Sequence, residues 1–211
     1  MPSKFPKFVN QDFFDILTPE SAWVSGLWIT DGNIFHYKNN YGIRIGFSDK
    51  TLIETVYNLL ETNAIICLDS RRNHQYWYFS IFNKHLYDSL LNHFQFDKKF
   101  QRDKLPKMPP DLLPHFIRGV IDGDGSIIIA PRRKTSDKCK ISITFPNLSF
   151  LNNIRSVIKD TLNIDGYIIT HKNAYEIVYG TLVTKTLTDW IYKDSENIRY
   201  EEKYQKYLKF S

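Results

Sequence analysis

Two aspartates, Asp31 and Asp124, end two segments of the chain that have the same pattern. The segments WVSGLWITDGNI (23–34) and FIRGVIDGDGSI (116–127) align without a gap at an offset of 93 residues, with a glycine five positions before each acid. Small residues recur at four-residue spacing before the acids, and residues four apart share one face of a helix. Because a helix face made of small residues lets two helices approach closely, we expect the two helices to pack together and to bring the two carboxylates together.

The position of the two acids indicates a bound cation. A carboxylate at a helix C-terminus opposes the helix dipole, and two neighbouring carboxylates repel each other. A divalent cation beside both acids offsets these costs, and carboxylates with phosphate oxygens suit Mg²⁺. We therefore predict that Asp31 and Asp124 are metal ligands for metal-assisted phosphodiester hydrolysis, with the backbone carbonyls of Thr30 and Gly123 as further candidate ligands. The alternative is an ordinary buried helix that occurs twice.

The same succession of elements follows each acid, as judged from the period of the apolar residues. In the first half we predict strands at 33–38 and 41–48, a helix at 49–62, strands at 64–70 and 76–82, and a helix at 83–94. In the second half we predict strands at 126–131 and 139–145, a helix at 147–162, strands at 166–171 and 175–180, and a helix at 181–193. With its motif helix, each half reads αββαββα, and the fold class is α+β.

The repeat also predicts the domain organisation. We expect an N-terminal half at 1–97, a connector at 98–110 that is rich in Pro and Lys, and a C-terminal half at 111–211. Thr18 is the predicted N-cap of the first motif helix, and Asp111 is the predicted N-cap of the second.

The composition favours a polyanionic partner. The net charge is +5, the sequence pI is about 9.0 and aromatic residues make up 15% of the chain, which suits nucleic-acid binding. Cys67 and Cys139 lie far apart and form no C-x-x-C pair, so we expect two reduced thiols and no zinc site. No apolar run reaches the roughly 18 residues of a membrane span. We expect an intracellular protein, either of an organelle (mitochondrion or chloroplast) or of the bacterial cytoplasm.

The two repeated segments resemble a known motif. V-S-G-L-W-I-T-D-G at 24–32 and I-R-G-V-I-D-G-D-G at 117–125 resemble the LAGLIDADG motif, although Ile29 stands where the motif usually has its first acid. Over residues 18–208 the chain resembles a single-chain, two-motif LAGLIDADG homing endonuclease. The resemblance implies two pseudo-symmetric halves packed through the motif helices, each presenting a saddle-shaped antiparallel sheet to the DNA major groove.

The resemblance also implies an activity. It assigns metal binding to the last acid of each motif, which is Asp31 in the first copy and Asp124 in the second. The implied protein is a monomer that binds a long double-stranded DNA target and cuts both strands across the minor groove, leaving short 3′ overhangs. The implied cofactor is Mg²⁺, with Mn²⁺ as a substitute.

The resemblance further implies a basic residue and a polar residue near each acid. The candidate basic residues are Lys99, with Lys98 as the near alternative, and Lys203. Such a lysine polarises the attacking water or stabilises charge that develops on the phosphate; the alternative is a solvated surface lysine. The candidate polar residues are Asp49 and Asn147, for which the alternative role is that of a helix N-cap.

Side chains on one face of each strand, at period two, are expected to contact the DNA. In the first half these are Asn33, Phe35, Tyr37, Arg44, Ser48, Arg71, Arg72, Tyr76, Tyr78 and Ser80. In the second half they are Ser126, Ile128, Arg132, Arg133, Lys138, Lys140, Ser142, Thr144, His171, Lys172 and Glu176. A slip of one residue in the register would exchange the two faces of a strand.

Two other functions compete with the nuclease. The first is an intron maturase, which would use the same fold to bind its own intron RNA. The second is a non-catalytic DNA-binding regulator. The presence of both Asp31 and Asp124 favours the nuclease, because the other two functions need neither acid.

Overall fold

The computed structural model describes residues 8–70, 75–94, 102–130 and 138–209. The first half contains α1 (Pro19–Asp31), β1 (Asn33–Tyr37), β2 (Asn40–Phe47), α2 (Lys50–Leu59), β3 (Cys67–Leu68), β4 (Trp77–Phe82) and α3 (Lys84–Phe94). The second half contains a 3₁₀ turn (Pro110–Leu112), α4 (Leu113–Asp124), β5 (Gly125–Ala130), β6 (Lys138–Phe145), α5 (Leu148–Leu162), β7 (Tyr167–Thr170), β8 (Tyr175–Tyr179), α6 (Thr181–Tyr192) and α7 (Glu201–Leu208). The predicted α+β class and the repeated αββαββα order are confirmed.

Two differences from the predicted elements stand out. The strand predicted at 64–70 forms a ladder only at Cys67–Leu68. The helix α7, which follows the second repeat, was not predicted.

Each half has one four-stranded antiparallel sheet, with the strand order β1-β2-β4-β3 in the first half and β5-β6-β8-β7 in the second. Side chains alternate between the two faces of a strand. In β2, Ile43 and Ile45 are buried in the core, while Arg44 between them is exposed. Each sheet therefore has one face in the core and one face that carries exposed side chains.

The two halves meet where α1 packs against α4, and glycines make this contact close. A Cβ atom on Gly26 would lie 2.7 Å from the backbone nitrogen of Val120 and 2.8 Å from the Cα of Gly119. A Cβ atom on Gly119 would lie 2.9 Å from the Cα of Gly26 and 3.0 Å from the backbone nitrogen of Leu27. Backbone therefore rests on backbone, as the small-residue pattern predicted.

The two motif helices begin differently. Thr18 is the N-cap of α1, as predicted, and forms a capping box with Ser21: Thr18 Oγ1 accepts from the Ser21 backbone at 3.2 Å. The prediction that Asp111 caps the second motif helix was wrong. Asp111 lies inside the 3₁₀ turn, and α4 begins after it at Leu113 without a side-chain cap. The turn satisfies the backbone instead, because Leu112 N donates to the carbonyl of Pro109 at 3.0 Å.

Two other expectations concern the cysteines and the membrane. Cys67 and Cys139 are both free thiols, and burial raises the pKa of Cys139 to about 11. None of the helices in the described ranges is long and apolar enough to span a bilayer.

The close helix contact predicts the cost of adding one methyl group. We expect Gly26→Ala and Gly119→Ala to lower the free energy of unfolding by about 3 kcal/mol each, because the new Cβ meets backbone that has no rotamer to change. The measurement is urea unfolding followed by circular dichroism. Gly180→Ala is the matched control: nothing lies within 4 Å of its Cβ position, and a loss of about 1 kcal/mol or less is expected from its position at a helix N-cap. Equal losses at the three positions would contradict the proposed contact.

Candidate active site

The two predicted acids are the last residues of the two packed helices, Asp31 of α1 and Asp124 of α4. A glycine with extended backbone follows each acid, Gly32 with φ −79° and Gly125 with φ −90°. A Cβ atom on Gly125 would lie 2.5 Å from the carbonyl oxygen of Ile121. These glycines therefore let the chain pass directly from each helix into a strand, immediately after the acid.

The carboxylate of Asp31 lies beside the last turn of the other motif helix. Its Oδ2 accepts a hydrogen bond from Thr30 Oγ1 at 2.9 Å. A Cβ atom on Gly123 of α4 would lie 2.7 Å from the same oxygen. The missing side chain at position 123 thus makes room for the Asp31 carboxylate next to α4, and the acid of one half sits against the motif of the other.

A cavity of about 300 Å³ opens at this point and is lined by both halves of the chain. Asp31 and Asp49 of the first half line it, together with Gly123 and Lys203 of the second half. Three of the residues predicted to be catalytic, Asp31, Asp49 and Lys203, therefore share one cavity.

Lys203 reaches this cavity from α7. Its Nζ donates to the carbonyl oxygens of Ile121 and Asp122, each at 2.7 Å. Burial lowers the pKa of Lys203, and the charges of Asp122, Asp31 and Asp124 act in the opposite direction. The ammonium group thus caps the C-terminal end of α4, where helix carbonyls lack partners.

Arg102 occupies the corresponding position on α1, and the sequence analysis missed it. Its guanidinium donates to the carbonyl oxygens of Trp28 and Ile29, and to that of Gly32 at 3.0 Å. Trp28 and Ile29 are the first-copy counterparts of Ile121 and Asp122 at the repeat offset. Arg102 is therefore the structural counterpart of Lys203.

The residues predicted for this role in the first half, Lys98 and Lys99, lie outside the described residues. Arg102 stands in the same basic stretch, a few positions further along. If arginine is considered as well as lysine, this basic stretch also offers Arg102 as a candidate.

Each of the two basic residues interacts electrostatically with both acids, and more strongly with the acid of the helix that it does not cap. Burial lowers the pKa of Arg102 to about 10, and Asp124 opposes this effect more strongly than Asp31 does. For Lys203 the order is reversed, and Asp31 acts more strongly than Asp124. These stronger interactions define two crossed pairs, Asp31 with Lys203, which also line one cavity, and Asp124 with Arg102.

Asp122, the inner acid of the second motif, has a different environment. Its Oδ2 accepts from Trp23 Nε1 of α1 at 2.9 Å and from the backbone nitrogen of Tyr200 at 3.0 Å. Burial raises its pKa from 3.8 to about 6, although Lys203 acts in the opposite direction. Asp122 thus connects both motif helices to the start of α7. Its counterpart in the first motif is Ile29.

Asp49 and Asn147 are both helix N-caps. Asp49 Oδ1 accepts from the backbone of Leu52 at 2.9 Å, and Asn147 Oδ1 accepts from the backbone of Ser149 at 2.9 Å. Asp49 also accepts from Tyr200 Oη at 3.4 Å through its other oxygen. The cap role is therefore present at both positions, and a catalytic role stays a prediction.

Most of the predicted DNA-facing side chains that belong to the described residues are exposed or half-buried, on the outer faces or at the ends of the strands. Exposed residues are Asn33, Tyr37, Arg44, Ser48, Ser126, Ile128, Lys138, Thr144, His171 and Lys172. Half-buried residues are Phe35, Tyr76, Tyr78, Ser80, Lys140 and Glu176. Ser142 is buried. Arg71, Arg72, Arg132 and Arg133 lie outside the described residues.

The strand register adds three residues to these faces that the prediction omitted. Phe82 lies opposite Gly42, Tyr167 lies opposite Val178 and Ile169 lies opposite Glu176. All three additions are exposed. Continuing the period-two pattern to the strand ends would have identified them.

The donor atoms at the helix ends fit a divalent cation. Both helices end in a carboxylate, both carboxylates interact electrostatically with Lys203 and with Arg102, and the space beside Gly123 would be filled by any side chain. Oxygen donors of this kind are those that Mg²⁺ prefers. Asp31 and Asp124 are therefore the residues that would hold such an ion, and the carbonyls of Thr30 and Gly123 stay candidates.

One further group of possible ligands lies on the surface. Asp12, Asp15 and His85 place one ligand atom each within 4.8 Å of one another. All three are exposed, and His85 Nε2 lies 2.5 Å from Asp15 Oδ2. A surface ion pair accounts for this arrangement.

Comparison with known proteins agrees with this geometry. A family model described as a LAGLIDADG-like domain matches residues 18–93. The homing endonuclease I-WcaI, in a structure with its DNA recognition sequence, is similar with a TM-score of 0.64 and 16% identity, over 93% of this chain and 90% of that one. The LAGLIDADG homing endonuclease I-LtrWI bound to target DNA has a TM-score of 0.60 and 12% identity, over 95% and 90% of the two chains.

A structure of I-DmoI in complex with DNA and Mn has a TM-score of 0.54 and 17% identity, over 85% of this chain and 96% of that one.

A curated relative matches only a short segment. The histidine biosynthesis bifunctional protein HisB of Xanthomonas oryzae pv. oryzae is 37% identical over 57 residues, which are 27% of this chain and 15% of that protein. So short a match assigns no activity to the chain, whereas the structural matches extend over nearly its whole length and show its fold.

The buried Asp122 predicts a pH-dependent contribution to stability. Because its pKa is higher in the folded protein than the ordinary value of 3.8, this contribution is full at low pH and is lost as the pH rises through about 6. Without divalent metal, we expect the free energy of unfolding of wild type, relative to Asp122→Asn, to fall by about 2 kcal/mol between about pH 4 and about pH 7.

Urea titrations across this pH range provide the measurement. Asp165→Asn is the control: the side-chain bond from Arg155 holds the pKa of Asp165 down to about 2, so its contribution is lost only below about pH 4 and the difference between wild type and Asp165→Asn should stay nearly constant across this range. Parallel curves for wild type and Asp122→Asn would show that Asp122 does not titrate as described.

Proposed function

Since the chain has the two-motif fold of the LAGLIDADG homing endonucleases, and its first half matches a LAGLIDADG-like domain, we propose that it is a site-specific DNA endonuclease. The resemblance that the two motifs indicated, to the two-motif LAGLIDADG homing endonucleases, is confirmed for the fold. The proposed reaction is metal-dependent hydrolysis of one phosphodiester in each strand of a long double-stranded target, leaving short 3′ overhangs. The proposed acting species is a monomer, because one chain already carries both acids.

The observation that carries the proposal is that two acids end the two packed helices and a basic side chain donates to carbonyl oxygens at each helix end. Double-strand cleavage needs two reaction centres, and the chain supplies two acids and two basic residues at these ends. Mg²⁺ or Mn²⁺ held by these acids would supply Lewis-acid chemistry. Lys203 and Arg102 are positioned to stabilise the charge that develops on a phosphate beside each acid.

The sheet faces support DNA as the substrate. Each half presents one antiparallel sheet whose outer face carries exposed polar and basic side chains, and a β-ribbon can enter the major groove. The similar proteins I-WcaI and I-LtrWI are described as bound to DNA, and I-DmoI is described with DNA and Mn. These descriptions support the same partner and cofactor for this chain.

We also propose the division of the chain at 1–97, 98–110 and 111–211. In this division the connector does more than join the two halves, because it contains Arg102, which donates to a carbonyl oxygen at the end of α1.

One experiment tests the proposed function directly. The protein is incubated with a duplex library of randomised sequence and Mg²⁺, and the cut ends are sequenced. We expect paired cuts with a constant 3′ overhang at related sequences. Tight binding to structured RNA without cleavage of any duplex would favour the maturase instead.

The metal-ligand assignment predicts the effect of removing each acid. Asp31→Asn and Asp124→Asn keep the side-chain size but remove a charged ligand, so we expect each to slow double-strand cleavage at least about 100-fold. Gel electrophoresis of a supercoiled substrate separates nicked from linear product. Cleavage of both strands at the wild-type rate by Asp124→Asn would show that the assignment is wrong.

The crossed arrangement predicts which strand each basic residue serves. We expect Lys203→Met to slow the same strand that Asp31→Asn slows, and by about tenfold or more, because the phosphate charge beside Asp31 loses its cation. Strand-specific end labels measure the two rates. Lys206→Met is the control on the same helix: Lys206 pairs with Glu202 at 2.7 Å on the surface. If Lys203→Met slowed the strand served by Asp124 instead, the crossed pairing would be contradicted.

A further inference from the structure

Arg44 differs from the other exposed basic side chains of the first sheet because its neighbours hold it from both sides. It lies in β2, opposite Asn33 of β1 and Ser80 of β4. On the same face of β2 it stands between Gly42 and Gly46. The centre of the outer face therefore carries a single large side chain between two positions that have none.

The two glycines leave room for aromatic rings. The ring of Phe35 covers Gly42 so closely that a Cβ atom there would lie 2.6 Å from Phe35 Cε2. A Cβ atom on Gly46 would lie 2.7 Å from Tyr78 Cβ and 2.9 Å from Tyr76 Cε1. The rings thus occupy the space on either side of Arg44 that ordinary residues would fill.

These rings and a hydroxyl group hold the guanidinium. Its Cζ lies 5.7 Å from the centre of the Phe35 ring and 4.9 Å from that of Tyr78. Its Nε donates to Ser80 Oγ at 2.8 Å. Two cation–π contacts and one hydrogen bond restrict the rotamers of a side chain that is ordinarily mobile, so little further entropy is lost when it binds.

We propose that Arg44 reads one guanine in the major groove of the half-site bound by the first half of the chain; this inference rests on the proposed DNA substrate. The bond to Ser80 occupies Nε, and the two terminal Nη groups match O6 and N7 of guanine. A contact to phosphate needs charge but no fixed orientation. Phe35, Tyr78 and Ser80 form a clamp that fixes the orientation of the Arg44 guanidinium. A fixed orientation favours a contact with a base over a contact with a phosphate.

At the position that corresponds to Arg44, the described part of the second half does not have this arrangement. The residue of β6 that corresponds to Arg44 is Ser142, which lies opposite Ser126 and Val178. Ser142 is buried, whereas Arg44 is exposed. The preference for guanine that we propose is therefore confined to one end of the target.

The test is selection of bound duplexes from a randomised DNA library, carried out without divalent metal so that cleavage does not interfere. Wild type is compared with Arg44→Lys, which keeps the charge but loses the planar pair of donors, and with Arg44→Gln. We expect wild type to select guanine at one position of one half-site, and both variants to lose that preference by about tenfold or more. Phe35→Leu, which removes one side of the clamp, is expected to weaken the same preference in part.

Lys185→Gln is the matched control, because Lys185 lies on α6 and pairs with Asp189 at 3.2 Å on the surface, away from the strands. It should leave the guanine preference unchanged. Loss of affinity at all sequences alike, with the preference intact in Arg44→Lys, would overturn the inference, as would a wild-type selection with no preferred sequence. Cleavage of the selected duplex with Mg²⁺ is measured separately, so failure of the nuclease proposal is distinguished from failure of the Arg44 assignment.

Discussion

The contact between the backbones of α1 and α4 determines where the rest of the molecule lies. Gly26 and Gly119 remove the side chains that would hold the helices apart, so the backbone of one helix rests on that of the other. The C-terminal ends of the helices are then close together, and both Asp31 and Asp124 are at those ends. Each chain segment that leaves a helix becomes the first strand of a sheet, so both sheets begin at this helix contact.

Two cations, the buried Arg102 and the half-buried Lys203, make this arrangement of acids compatible with a folded protein. The last carbonyls of a helix lack intrahelical partners, and Lys203 and Arg102 donate to those carbonyls at the ends of α4 and α1. A positive charge at a helix C-terminus is also favourable in the helix dipole. The same two charges lie near the carboxylates, so they reduce acid–acid repulsion before any metal binds. Stability and the proposed chemistry therefore use the same side chains.

The repeat and the sheet faces could be predicted from sequence because both depend on local periodicity. The four-residue spacing of small residues predicted the helix contact, and the period of two predicted that Arg44 lies on the outer face of its strand. Arg102 could not be found in this way, since its partners are carbonyls of Trp28 and Ile29 on a distant helix. The helix α7 has no fully buried residue, so no apolar stripe marked it in the sequence.

Long-range polar contacts place α7. Asp122 accepts from the backbone nitrogen of Tyr200, immediately before the helix. Arg118, which is fully buried, donates to the carbonyl of Ile198 at 2.8 Å and so holds the preceding loop. Neither contact has a local sequence pattern, although both residues lie inside the second motif. The motif therefore positions Lys203 through Arg118 and Asp122, which its helical pattern does not distinguish from the other residues of the helix.

The two halves provide the same positive charge with different residues, and the inner motif position explains the difference. In the second half Asp122 is buried near Lys203 and raises its pKa, which opposes the effect of burial. In the first half the equivalent position is Ile29, which offers no charge. A lysine buried there would lose its proton more readily, because burial alone disfavours the charged form. An arginine stays charged: burial lowers the pKa of Arg102 only to about 10, far above neutral pH. The first motif has Ile29 in place of an inner acid, so no carboxylate at that position supports a buried lysine. The arginine at position 102 keeps a positive charge at the end of α1 without that support.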